Sequence, residues 1–299
     1  MPAFPYLVVQ VRHLSTYISR DLALASIYLV GSSFVLMLRS WILLGCVHSG
    51  ANPYASMLIF LKARLFILSP GRVGESIRAV LLHRRFGVSR SSCLAILAAE
   101  RIYGFLSAGI LVLVLLVGLR LLSFFLYVCL AIFIFSLLIY SPVIFGWGWA
   151  WTSSLVKFIP LRFRSFFVDN FGTFLRSGAS LFSNLKIFSL SLLLTSVSWL
   201  LESSALGCVV QYLADIRLQY FQVLSPRLAM AFGGALSPLP AGFGLSEGAA
   251  IATFLAHGLS MTQSLSSVAL FRVFALGMPI FIGILAWVSS VFCASTKAI

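Results

Sequence analysis

Negative charge is what this chain has least of: seven Asp and Glu stand against 21 Lys and Arg in 299 residues. Charged residues of both signs make up only 9%, where a soluble domain carries roughly a quarter, while 61% of residues are hydrophobic and the mean hydropathy is +1.06. That balance excludes an ordinary water-soluble domain. Paired metal-ligand spacing is missing too. Cys46, Cys93, Cys129, Cys208 and Cys293 stand singly in or beside apolar stretches, and the four histidines form no helical pair, so neither a metal site nor a redox motif is expected. There is no phosphate-binding Walker loop, no Gly-x-Ser-x-Gly nucleophile elbow and no His-Glu-x-x-His, which removes the usual routes to ATP coupling, acyl transfer and metal-assisted hydrolysis. Gly242, Gly244 and Gly248 miss the dinucleotide fingerprint by one residue and follow no strand. No cofactor is expected.

Long apolar runs are what the chain does have. A helix needs about 20 residues to cross the hydrocarbon core, and stretches of that order lie at about 22–47, 91–119, 121–141, 187–213 and 262–292. Shorter runs at about 54–69 and 220–238 each end in a Pro/Gly-rich segment. The first long run has no small-residue cleavage site and continues to Arg39 and beyond, so it reads as a retained membrane helix and not a secretory signal. The fold class is therefore all-α: a polytopic membrane protein, one membrane domain over 1–299, with about seven to eight membrane helices, some of them broken or re-entrant at the Pro/Gly segments.

A net charge of +14 on a soluble domain would point to nucleic acid; on a membrane protein it follows from the excess of Lys and Arg in cytoplasmic loops. Basic residues cluster at Arg12 to Arg20, Lys62 to Arg90 and Lys157 to Lys186. We place all three on the cytoplasmic side, with a cytoplasmic N-terminus, in a cell inner (plasma) membrane whose anionic headgroups attract each charge by about 1 kcal/mol. Nucleic acid is not an expected partner.

The chain also repeats itself. Pro70-Gly71-Arg72-Val73-Gly74-Glu75 leads to Gly87-Val88-Ser89 and then Arg101; Pro240-Ala241-Gly242-Phe243-Gly244-Leu245-Ser246-Glu247 leads to Gly258-Leu259-Ser260 and then Arg272. In each copy the Gly-x-Ser precedes the arginine by 14 residues, and Gly87 to Gly258 and Arg101 to Arg272 are both 171 residues apart. We read repeat 1 at about 20–145 and repeat 2 at about 187–292. Between them, about 146–186, Trp147, Trp149 and Trp151 precede phenylalanines at Phe163, Phe167, Phe171, Phe174 and Phe182, the pattern of a helix lying on the cytoplasmic face. Helices interrupted at matching points of two halves are the sequence mark of a transporter's binding site, which is expected to lie between the repeats.

Charges inside apolar stretches locate that site. Arg101 and Arg272 each fall about ten residues into a membrane helix, about 15 Å deep at 1.5 Å per residue. A guanidinium there costs at least about 2.5–3.5 kcal/mol without a partner, so both are expected to face the protein interior or a wet cavity. Glu75 and Glu247 each follow a Gly-rich turn at an expected helix start, where a carboxylate suits the helix dipole. Two readings stay open. Each glutamate caps its helix and pairs with the arginine of its own half, or the exposed N–H groups of the helix start, with Arg72 and Arg78, bind a phosphate.

These motifs, with the Glu100-Arg101 pair, resemble the flippase-like transmembrane region of lysylphosphatidylglycerol synthases and its stand-alone relatives, over roughly residues 20–292. The second copy departs from the family's Pro-Gly-Gly by having Ala241. The resemblance implies movement of a lipid or polyprenyl-linked substrate between leaflets. The soluble domain that transfers lysine in the full-length synthases would have to follow Ile299, so lysyl transfer is not expected of this sequence. The substrate-binding residues so assigned are Arg72, Glu75, Arg78, Glu100, Arg101, Gly244, Glu247 and Arg272. Their partner would be an anionic phospholipid or lipid-linked phosphate, and a lipid-synthesis enzyme and a second copy of the chain are further partners to consider. Two alternatives remain beside transport: a non-catalytic membrane partner of a lipid-synthesis enzyme, and a membrane-embedded enzyme acting on a lipid phosphate.

Overall fold

The computed structural model describes residues 4–69, 74, 76–118, 161–237 and 239–295, and the side chains of 20–69, 74, 76–116, 170–237 and 239–290. Among them every regular element is helical. In chain order these are α1 (Phe4–Val47), α2 (Pro53–Ala63), a 3-10 turn (Arg64–Phe66), α3 (Ile77–Phe86), α4 (Arg90–Gly118), α5 (Leu161–Ser183), α6 (Leu185–Ala214), α7 (Tyr220–Leu236), a 3-10 turn (Pro240–Gly242), α8 (Leu245–Ala256) and α9 (Met261–Ser295). Four of these are long and apolar enough to cross a membrane, over Arg20–Val47, Arg90–Leu116, Leu185–Ala214 and Met261–Ser290. They coincide with four of the five long runs read from sequence. The fifth, 121–141, and the tryptophan segment at 147–151 lie outside the described residues, as do Arg72 and Glu75.

The reason for the Gly-x-Ser spacing is local. Gly87 (φ +70°) and Gly258 (φ +89°) each close a short helix in a left-handed conformation that costs glycine little and other residues more. The serine two positions later starts the long helix. Ser89 accepts from the backbone N–H of Ser92 at 3.1 Å, and Ser260 from that of Gln263 at 3.3 Å, while Gln263 reaches back to the Ser260 N–H at 3.0 Å. These are N-caps, worth about 1 kcal/mol each.

The residues form two compact units. One comprises Met1–Phe34, Leu65–Arg72 and Val197–Ile282; the other Val35–Arg64, Val73–Ser196 and Gly283–Ile299. In the first, Ala25, Leu29, Leu206, Val209, Val210, Phe254 and Phe271 form the buried core. There α7 and α8 cross closely at Gly233: a Cβ added to it would lie 2.5 Å from the Leu245 carbonyl oxygen and 3.1 Å from the Ala249 Cβ. The Ser246 hydroxyl donates to the Met230 carbonyl at 2.9 Å across the same crossing.

In the second unit the core gathers Leu43, Leu44, Leu82, Cys93, Ile96, Tyr103 and Leu181. The segment expected to lie along the cytoplasmic face forms α5 and packs on α4. Ser91 donates to Asn170 at 2.9 Å, Ser92 and Ser177 share a 2.8 Å bond, and the Tyr103 hydroxyl donates to the Leu181 carbonyl at 2.9 Å. Serine contacts of this kind tie α4 to α6 as well, through Ser107 and Ser196 at 2.8 Å. In lipid, where apolar burial between helices drives little, such bonds and close small-residue packing take on the work of association.

Candidate functional site

Ionisable side chains inside apolar helices are the chemistry this fold places with care, and each unit has its own set. In the unit containing α3 and α4, Arg78 from α3 binds Glu100 from α4 through a two-pronged contact: Nη1 donates to Oε2 and Nη2 to Oε1, each at 2.9 Å. Arg39 of α1 stands 4.0 Å from the same carboxylate, and its Nη1 donates to the Thr195 hydroxyl of α6 at 2.8 Å. All three charged side chains are almost fully shielded, with 7%, 5% and 9% exposure for Arg39, Arg78 and Glu100. The Phe60 ring of α2 lies 5.5 Å from the Arg78 guanidinium and 5.0 Å from that of Arg64, placing an aromatic face against two cations.

The other unit holds two pairs. Glu202 of α6 accepts from Nε of Arg227 at 3.0 Å, also from its Nη2, and from the Ser32 hydroxyl of α1 at 2.9 Å. Ser32 in turn shares a 2.9 Å bond with Ser198, and the Arg227 guanidinium sits 4.6 Å above the Trp199 ring. The second pair is Glu247 with Arg272. Glu247 is at the third position of α8 and accepts from the Gly244 backbone N–H at 2.7 Å while its other oxygen takes Nε of Arg272. Arg272 Nη2 donates to the Ala241 carbonyl at 2.9 Å, and Phe243 lies 5.2 Å from its guanidinium.

The second motif thus brings Gly244, Glu247 and Arg272 together, in the arrangement where the glutamate caps its helix and neutralises the arginine of its own half. A carboxylate already occupies the helix start that a phosphate would otherwise approach. Ala241, the departure from Pro-Gly-Gly, takes φ +52° all the same. Its carbonyl is thereby turned to Arg272.

The first motif is brought together differently. Arg78 and Glu100 meet each other, and Arg101 is exposed, whereas Arg272 at the corresponding position keeps only 11% of its side chain exposed. By their depth, both arginines are expected to face the protein interior or a wet cavity. Arg272 lies in the interior; on α4 the inward place is taken by Glu100, about 100° round the helix from the exposed Arg101.

Four participants escaped assignment from sequence: Arg39, Arg64, Glu202 and Arg227. Arg39 and Glu202 each interrupt a long apolar run, and a charge in that position is a functional candidate by default. That signal was available, but the motif copies drew the assignment elsewhere. Arg64 and Arg227 lie in shorter helices, where charge is ordinary, and only folding reveals their surroundings.

Helices of bilayer length whose interiors carry arginines paired with carboxylates define an integral membrane protein with a polar interior. The chain belongs to the family described as the lysylphosphatidylglycerol synthase TM region, which it matches over residues 6–283, and so is a membrane protein related to lipid synthesis or transport. No curated protein matches the chain.

Proposed function

We propose that this protein moves a lipid with an anionic headgroup, a phospholipid or a lipid-linked phosphate, between the leaflets of the membrane it spans. The observation that carries the reading is that each shielded ion pair joins a charge in a helix apolar enough to cross a bilayer, Glu100, Glu202 or Arg272, to a partner on a short helix, Arg78, Arg227 or Glu247, within a family tied to lipid synthesis or transport. Hydrocarbon penalises each of these charges, and a polar headgroup crossing it needs such groups as a substitute for water. The similar order of elements around the two motifs, short helix, Pro/Gly break, short helix, Gly-x-Ser and long helix, supports a two-half transporter plan. The cluster of basic residues from Arg12 to Arg20 supports a cytoplasmic N-terminus. With no ATP-binding motif in the sequence, movement would run downhill or draw on an ion gradient.

The test is a leaflet-resolved assay in proteoliposomes carrying a fluorescent or dithionite-quenchable anionic phospholipid. Transport predicts faster loss of the inner-leaflet signal than in protein-free vesicles, and slower loss with Arg78→Gln or Arg272→Gln at equal protein content. Rates equal to those of empty vesicles would reject it.

The internal pairing of Glu247 with Arg272 favours a second reading for that motif, as a structural brace in a non-catalytic partner of a lipid-synthesis enzyme. For that role Arg272→Gln would lower the amount of folded protein and leave the rate per folded molecule unchanged.

A further inference from the structure

The two sets of buried charges differ in their balance. Glu202 with Arg227 and Glu247 with Arg272 match one to one. In the other unit Glu100 is the only carboxylate described among Arg39, Arg64 and Arg78, and Arg78 engages both of its oxygens. Arg39 is left with little. Among the described residues its one hydrogen bond is to Thr195, its distance to Glu100 is 4.0 Å, beyond hydrogen-bond reach, and its buried Nε has no partner. A guanidinium has five N–H donors, and shielding it this far from water with one of them bonded is costly. It also lies about eight residues inside the end of α1, about 12 Å along the helix.

Arg64 is half-buried, but its Nε is buried without a partner among the described residues, and its guanidinium is packed against Phe60, the same ring that Arg78 faces. Arg64 and Arg78 both lie near enough to repel Arg39 electrostatically. Among the described residues, positive charge in excess of its counter-charge, with a buried unpartnered Nε on each of Arg39 and Arg64, is the complement of an anion. Guanidinium donors in a fork match the oxygens of a phosphate in particular.

We infer that Arg39 and Arg64 form a phosphate-binding site inside this unit, with Arg78 held by Glu100 as its fixed wall. The ligand class is a phosphate group, either borne by a lipid or free in solution. The inference rests on the transport reading only for the lipid source; the site itself follows from the unmatched donors.

The experiment measures equilibrium binding to the purified full chain in detergent, using two probes: dihexanoyl phosphatidic acid and inorganic phosphate, with dihexanoyl phosphatidylcholine as the zwitterionic control. We expect saturable binding of phosphatidic acid, weakened about tenfold or more by Arg39→Gln and by Arg64→Gln, a loss of about 1.4 kcal/mol per factor of ten, and unchanged by Arg217→Gln at an exposed position. Arg39→Lys keeps the charge and removes Nε, and should also weaken binding; it decides the matter should Arg39→Gln fail to fold. Saturable binding of inorganic phosphate with the same variant pattern and none of phosphatidic acid would uphold the site while counting against a lipid cargo. Binding of neither probe, equal binding of phosphatidylcholine, or binding indifferent to Arg39→Lys and Arg64→Gln would overturn the site, whatever the transport assay returns.

Discussion

Arg78 and Glu100 face each other through two parallel 2.9 Å hydrogen bonds, fastening the short helix after the first Pro/Gly segment to the long helix that follows it. Removing one member leaves the other buried and uncompensated, which typically costs about 3–5 kcal/mol. Arg78→Ala and Glu100→Ala should each destabilise the protein by that order, and the double substitution by clearly less than their sum. Thermal or denaturant unfolding in detergent across the four-member cycle measures the coupling.

Ala241 sits at φ +52°, where an L-residue with a Cβ is disfavoured by about 1–2 kcal/mol. Ala241→Gly, which restores the family's Pro-Gly-Gly, should leave the fold unchanged and stabilise it by up to about 1 kcal/mol, the gain being reduced by glycine's greater freedom when unfolded. A lower melting temperature for this variant would contradict the strain argument.

At Gly233 the α7–α8 crossing leaves no space: a methyl group would collide with the Leu245 carbonyl at 2.5 Å, and backbone cannot swing aside as a side chain can. Gly233→Ala should therefore cost about 1–3 kcal/mol, in the range of overpacked cores, while the same change at Gly248, with open space around it, should cost nothing comparable. Unfolding midpoints of the two variants make the comparison.

The second Pro/Gly break, the short helices and the starts of the long helices were legible before folding because they rest on local chemistry. Glycine closes a turn, serine caps the next helix, and glutamate settles at a helix start wherever the chain runs. Glu247 could thus be placed on α8 from its neighbours alone. Arg39 could not be placed beside Glu100 in this way, since 61 positions separate them and nothing local links them.

His257, at the end of α8, shares a 2.7 Å bond with the Ser225 hydroxyl through Nε2, and burial lowers its pKa below the ordinary 6.5. A histidine whose folded pKa is lowered is bound by fewer protons than its unfolded counterpart, so stability rises with pH through the interval between the two values. Its contribution should be fully in place above pH 6.5, fall as the pH drops below that, and level off once the folded pKa is passed. Unfolding midpoints of the wild type and His257→Gln between pH 5 and pH 8 should differ in slope, with the shallower dependence in the variant.

By itself the sequence determined that this protein belongs in a membrane, where four helices long and apolar enough to cross it run and where the break before α8 falls, because hydropathy and turn chemistry act over a few residues and need no tertiary partner. Only the tertiary structure decided how the charges are matched: Glu247 to the arginine of its own motif, Glu100 to Arg78, and Arg39 with a buried Nε that has no partner among the described residues. A buried charge must be compensated within a few ångströms in space, and distance along the chain carries no information about which group will be there.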